Sequence, residues 1–161
     1  MAWFRSPRLL KRRADGTFEL RLDADGREVL ALLLGQLQQQ VAEHPDDPSL
    51  YRLQPTAYMH DPDADAAYRL LAGEELRASR EAAIEIVLAS ASKDRLTEDE
   101  LWAWLRALNA VRLVAGTRLD ISDDDPPRPD LDALDDATRS LWAVYEWTTA
   151  LQAEVVLALQ G

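Results

Sequence analysis

No cysteine occurs among the 161 residues. That absence removes thiol catalysis, thiol redox sensing, disulfide bonds and thiolate zinc sites. Histidine is nearly as scarce, with only His44 and His60 present. Two imidazoles at segment edges supply neither a metal ligand set nor an acid–base pair with pKa values drawn apart. The six glycines form no Gly-x-Gly-x-x-Gly or Walker sequence, so no phosphate cradle is coded. No serine sits in a Gly-x-Ser-x-Gly elbow. The longest apolar run, Val29 to Leu34, is far too short for a membrane span. No signal-peptide core follows the basic start, so the expected compartment is the cytoplasm.

What is present suits one ordinary domain with a real core. Hydrophobic residues make up 47% and charged residues 29% of the chain. The net charge is −11, unevenly spread. The first 14 residues carry Arg5, Arg8, Lys11, Arg12 and Arg13 and no acid, which leaves the remainder at −16. An acidic body repels phosphate backbones and argues against broad nucleic-acid binding. The basic arm is the exception: a solvated terminus, a contact for an acidic partner, or a phosphate contact.

The pattern predicts a mainly α, single-domain helical bundle of about five helices with a small N-terminal β-hairpin. Residues 1–25 form the basic arm and hairpin. Arg8 to Arg12 and Thr17 to Leu22 flank Asp15-Gly16, read as a type I′ turn. A helix is expected from Arg27 to Ala42, with Val29, Leu33, Leu37 and Val41 on a stripe beside Leu30 and Leu34. Residues 45–62, with four prolines and several large apolar groups, read as an ordered strap. Asp61-Pro62 starts a short helix to Leu71, and a second is expected from Glu74 to Ser90, with Leu76, Ala83, Ile84, Val87 and Leu88 on one side. Residues 91–95 read as a loop. Thr97 to Glu100 forms a capping box, opening a helix that carries Leu101, Trp104, Leu105, Leu108, Val111 and Ala115 and stops at Gly116 or runs on toward Leu119. Residues 120–132 form an acidic, proline-rich loop without regular structure. The last helix starts near Leu134 or Asp136 and lasts almost to Gln160.

Each candidate for chemistry has a simpler explanation. Asp61, Asp63 and Asp65 alternate like a calcium loop, but Ala66 and Ala72 stand where Gly and Glu are needed. A helix start explains the same acids, so no metal and no cofactor is expected. Glu85 and Glu146 adjoin apolar stripes. Glu146 near Trp142, Trp147 and Arg112 reads chiefly as half of an interhelical salt bridge, with Arg112 pairing to an acid on a neighbouring helix. Arg106, Arg112 and Arg118 fall on different helix faces and form no DNA-reading stripe. Trp104 belongs to the core, whereas Trp102, Trp142 and Trp147 are candidates for a protein interface.

The stretch from Trp104 to Leu119 is the most specific motif in the chain. Leu53-Gln54-Pro55-Thr56-Ala57-Tyr58 with Asp61-Pro62, and Val144-Tyr145-Glu146-Trp147 followed by Leu151-Gln152, accompany it in order. Together they resemble an actinobacterial family of unknown function, number 2017, also described as AosR-type oxidative-stress transcriptional regulators. The resemblance covers nearly the whole chain. It implies regulation through contact with the transcription machinery and implies no catalytic residues. The redox form of that role relies on a cysteine pair. With none here, either regulation proceeds without a thiol switch or the role does not carry over.

The motif also has structural readings. Asn109, a poor helix former, is expected to be held by a side-chain hydrogen bond. Gly116 permits close packing or ends the helix, and Arg118 bonds helix carbonyls. The expected function is therefore a non-enzymatic regulator or adaptor, homodimeric through the Trp-bearing helices or the last helix. The alternatives are a DNA-binding regulator using the basic arm, and an interhelical ligand pocket or enzyme site near Glu146 and Arg112.

Overall fold

In the computed structural model, residues 8–54, 61–121 and 128–161 are described. Strands β1 (Leu10–Arg12) and β2 (Phe18–Leu20) form the expected antiparallel hairpin, with Leu10 opposite Leu20 and Arg12 opposite Phe18. Its turn differs in type. The Gly16 amide donates to the Arg13 carbonyl, and only Gly16 has positive φ, at 84°. This is the geometry of a type I turn closed by a left-handed glycine, not type I′, which needs positive φ at two residues.

Four α-helices and two 3-10 segments follow among the described residues: α1 (Ala24–Glu43), a 3-10 segment at Pro48–Leu53, α2 (Pro62–Ser90), α3 (Glu98–Arg118), a 3-10 turn at Leu131–Ala133 and α4 (Asp136–Gln160). Strand β3 (Arg95–Leu96) lies between α2 and α3 and pairs with β2, so the sheet order is β1-β2-β3. A loop was expected at 91–95. Two residues of strand are too short for periodicity to reveal, and their partner is distant in sequence.

Local chemistry sets most helix ends. Asp23 caps α1 by accepting from the Gly26 amide at 2.7 Å. Thr97 and Glu100 complete both halves of the expected capping box on α3, at 3.1 and 2.9 Å. Asp135 caps α4 through the Thr138 amide at 2.7 Å. Asp61 accepts from the Ala64 amide at 3.2 Å, as its helix-start reading requires. Helix α2 then runs unbroken past Gly73, where a stop was expected. Space around Gly73 is open, so its only cost is the glycine propensity of about 1 kcal/mol.

Helix α3 ends beyond Gly116. Asp120 adopts φ 56°, the Ile121 amide donates to the Gly116 carbonyl at 2.9 Å, and the Asp120 amide donates to Thr117 at 3.1 Å. These bonds form a Schellman motif, with buried Ile121 as its apolar contact. The first part of the strap holds the 3-10 segment Pro48–Leu53; its residues 55–60, Tyr58 and Met59 among them, lie outside the described residues. The 3-10 turn at Leu131–Ala133 is regular structure where only loop was expected, closed by Asp130 accepting from the Asp132 amide.

Helix α3 occupies the centre, packed against α2, α4, the strap and α1. Leu101, Trp104 and Leu108 are almost fully covered, and each such aliphatic side chain contributes about 1.5–3 kcal/mol. Being surrounded, α3 buries more than the predicted stripe, including Ala103, Ala107 and Ala110. The stripes of two other helices are rotated from expectation. On α1 the buried line is Leu30, Leu34 and Leu37, and Val29 is exposed. On α2 Leu76 is exposed, while Ala83, Ile84 and Val87 are buried.

Candidate contact surfaces and their supports

The Trp-bearing helices divide their indoles between core and surface. Trp104 is buried, and its Nε1–H donates to the Ser90 hydroxyl at 2.9 Å. Ser90 in turn donates to the Ile86 carbonyl at 2.6 Å, so the buried polar chain is satisfied. Trp102, on the opposite face of α3, is 43% exposed. Trp142 is half-buried and meets Tyr145 edge-on, with ring centroids 5.9 Å apart. Trp147 packs partly buried against the core. Among the described residues, only Trp102 thus presents an exposed indole.

Tyr145 of α4 packs against the motif on α3. A Cβ at Gly116 would stand 3.3 Å from the Tyr145 ring, so glycine there permits the close helix approach that was expected. The Arg112 guanidinium lies 5.8 Å from the same ring centroid. Among the described residues Arg112 faces this ring and pairs with no acid, contrary to expectation. Glu146 binds Arg128 instead, through bonds of 2.8 and 3.2 Å. Its salt bridge therefore reaches a loop and not a neighbouring helix. Asn109 accepts from the Gln152 amide of α4 at 3.3 Å, the bond its mid-helix position called for. Arg118 is exposed and, among the described residues, bonds no helix carbonyl. The Schellman motif already satisfies those carbonyls.

Of the basic residues near the start, Arg8, Lys11 and Arg12 are exposed, and Arg5 lies outside the described residues. Arg12 lies over the Phe18 ring at 5.6 Å, and Arg13 pairs with Glu19. Register places Lys11, Glu19 and Arg95 in one row. Arg21 also bonds Glu19, and Arg95 bonds Asp15, both at 3.2 Å. The outer face of the sheet is thus a small basic patch, wider than the arm alone because Arg21 and Arg95 join it. Sequence spacing does not reveal that joining, since it depends on β3.

The other feature missed from sequence is Arg27. Its guanidinium donates to Leu22, Ala91, Lys93 and Leu20 carbonyls and to the Asp94 carboxylate, at 2.7–3.3 Å. It ties the start of α1 to the segment between α2 and β3. The role is structural.

An open cleft of about 260 Å³ lies between α1 and α4, floored by Val111, Val114 and Ala115 of α3. Leu33 and Leu37 form one wall, and Leu141 and Val144 the other. It is not lined by Glu146 or Arg112, where a pocket was considered. Among the described residues no three acidic or histidine side chains converge as a metal site, and no helix is long and apolar enough to cross a membrane.

A family model described as Domain of unknown function (DUF2017) matches residues 2–159. The chain belongs to the DUF2017 family. Curated relatives of this DUF2017 chain include the oxidative stress regulator AosR of Mycobacterium tuberculosis (strain ATCC 25618 / H37Rv). It is 33% identical over 138 residues, which cover 74% of this chain and 62% of the relative. The AosR of Mycobacterium bovis matches to the same extent, as does the putative oxidative stress regulator AosR of Mycobacterium leprae. The DUF2017 chain therefore spans less than two thirds of the length of these relatives. No solved structure matches it.

Proposed function

We propose that this DUF2017 chain is a cytoplasmic, non-enzymatic regulator or adaptor, homodimeric, that acts by protein contact in transcription regulation. The observation that carries the reading is family membership, joined to relatives named as oxidative stress regulators. Trp102 supports contact as the mode. A large, rigid indole left 43% exposed on a central helix has the character of an interface anchor. A thiol switch has no part in it, because no cysteine exists in this chain.

The test is binding of the purified chain to RNA polymerase holoenzyme by interferometry. Expected is binding that is equal in dithiothreitol and in peroxide, and weakened at least tenfold by Trp102→Ala. No binding, or binding that tracks thiol redox state, contradicts the proposal.

A second reading, DNA binding, is favoured by the basic patch on the sheet. Deleting the first 13 residues is a poor test, because it also removes β1 and buried Leu10. Lys11→Glu leaves the strand in place. If DNA is the ligand, affinity falls steeply with salt and Lys11→Glu reduces the slope by about one. Absent or salt-insensitive binding removes this reading.

A further inference from the structure

Helix α1 presents an outward face unlike the rest of the surface. From Val29 to Ala42 no charged residue occurs, in a chain where 29% are charged. Val29 and Leu32 on that face are 43% and 60% exposed. One turn on, a Cβ at Gly35 would meet nothing within 4 Å, and Gln36 and Gln39 continue the exposed line. The spacing of Val29, Leu32, Gln36 and Gln39 puts them along one helix face. Beside it opens the cleft between α1 and α4, lined by Leu33, Leu37, Leu141 and Val144. Arg118 is the one charged group on the lining.

We infer that this face is where a second copy of the chain docks, α1 against α1. The inference rests on the proposed homodimer and names its surface, which is neither the Trp102 face nor the indoles of α4. Two arguments select a second copy. The first is charge. Two bodies of net charge −11 repel, and they approach closely only where neither presents acids. A basic partner would be met by acids, and an anionic lipid surface by bases; the stretch of this face from Val29 to Gln39 offers neither, acids standing only at its ends, at Asp25, Glu28 and Glu43, and Arg118 alone on the cleft. The second is shape. A two-fold interface must carry both halves of each contact on one molecule. Here the projecting Leu32 and the apolar cleft lie side by side, so that each copy supplies a knob and a hole. Gly35, beside Leu32 on the side away from the cleft, lets the two helix backbones come close, and Gln36 supplies an uncharged hydrogen-bond partner, Gln39 being bonded to Glu43. One helix face with one cleft is at the small end of specific interfaces, so dissociation in the micromolar range is expected.

The experiment uses light scattering and sedimentation of the full chain over a concentration series. The wild type should move from 18.1 kDa toward twice that mass as concentration rises. Leu32→Glu, at an exposed position, should weaken association on the order of a hundredfold or more by burying an unpaired charge, with helix content and melting temperature unchanged. Because the chain lacks cysteine, Gly35→Cys introduces a single thiol. Oxidation should link it into a covalent dimer, whereas Trp102→Cys should not cross-link. A wild type that stays monomeric through the millimolar range overturns the dimer itself. A Leu32→Glu protein that remains dimeric, or cross-linking through Trp102→Cys instead of Gly35→Cys, overturns the α1 face alone. Polymerase binding by a monomeric Leu32→Glu chain leaves the regulatory reading standing, so the failures are distinguishable.

Discussion

Replacing Arg27 by alanine removes five hydrogen bonds from one side chain: four to backbone carbonyls and one to Asp94. The planar guanidinium is suited to this, since its five N–H groups point outward in a fixed fork. At about 1 kcal/mol net for each bond the loss would reach about 5 kcal/mol. Water can replace part of that, because the bonds to Lys93 and Asp94 are exposed. The expected destabilisation is therefore about 3 kcal/mol, nearly all from the partly buried carbonyls of Leu20, Leu22 and Ala91. For a chain of this length that lowers the melting temperature by roughly 6–12 °C. Arg27→Lys keeps the charge but presents one nitrogen in place of a fork, and it should recover less than half of the loss. Urea unfolding followed by tryptophan fluorescence reads both variants. A loss below 1 kcal/mol for alanine, or full rescue by lysine, would show that Arg27 is a surface charge and not a clamp.

Four further outcomes follow from the geometry. Ser90→Ala strips the indole of buried Trp104 of its acceptor and should cost about 1–3 kcal/mol in the same urea assay, while Trp104→Phe on the Ser90→Ala background should add little beyond lost volume. Asp120→Gly relieves a positive φ at the end of α3 and should stabilise by about 0.5–1 kcal/mol, read as a raised midpoint. Gly116→Leu should destabilise by about 1–3 kcal/mol or more, because its side chain must displace Tyr145, and near-ultraviolet circular dichroism should report the disturbed ring. Acid sensitivity has a definite sign. The Thr17 hydroxyl holds Asp15 below 3.8, the Ser49 hydroxyl does the same for Asp47, and the Thr138 amide for Asp135. Burial pushes Glu100 upward, but bonds from Lys93 and Thr97 outweigh it and leave it below 4.5. Carboxyls lowered on folding stabilise the protein above their unfolded values and lose that contribution as pH falls through the folded ones. Stability should be flat from pH 7 to about 5 and decline below about 4.

Much of the fold was legible because it is written in neighbouring residues. Thr97 and Glu100 announce the start of α3, Asp61-Pro62 the start of α2, and Asp15-Gly16 the hairpin. What was not legible depends on partners far away in sequence. Strand β3 is two residues long and exists because Leu96 meets Phe18. Arg27 is an ordinary helical arginine until the segment after α2 folds over it. Arg112 was expected to meet an acid, and instead the crossing of α3 and α4 puts the Tyr145 ring beneath it. Burial of Trp104 and exposure of Trp102 follow their positions on and off the apolar stripe, since stripe position decides burial on a helix. The outward face of α1 was hidden by its own hydrophobicity. A helix apolar on most of its circumference does not say which side is covered, and the wall came from Leu30, Leu34 and Leu37, leaving Val29 and Leu32 outside.

Contact-based regulation without a thiol is tested most directly by transcript levels in cells deleted for the gene and complemented with the wild type or with Trp102→Ala. The account predicts that the wild type restores a defined transcript set equally with and without peroxide, and that Trp102→Ala, folded and expressed, does not. Transcripts unchanged by the deletion, or restored in full by Trp102→Ala, would contradict it.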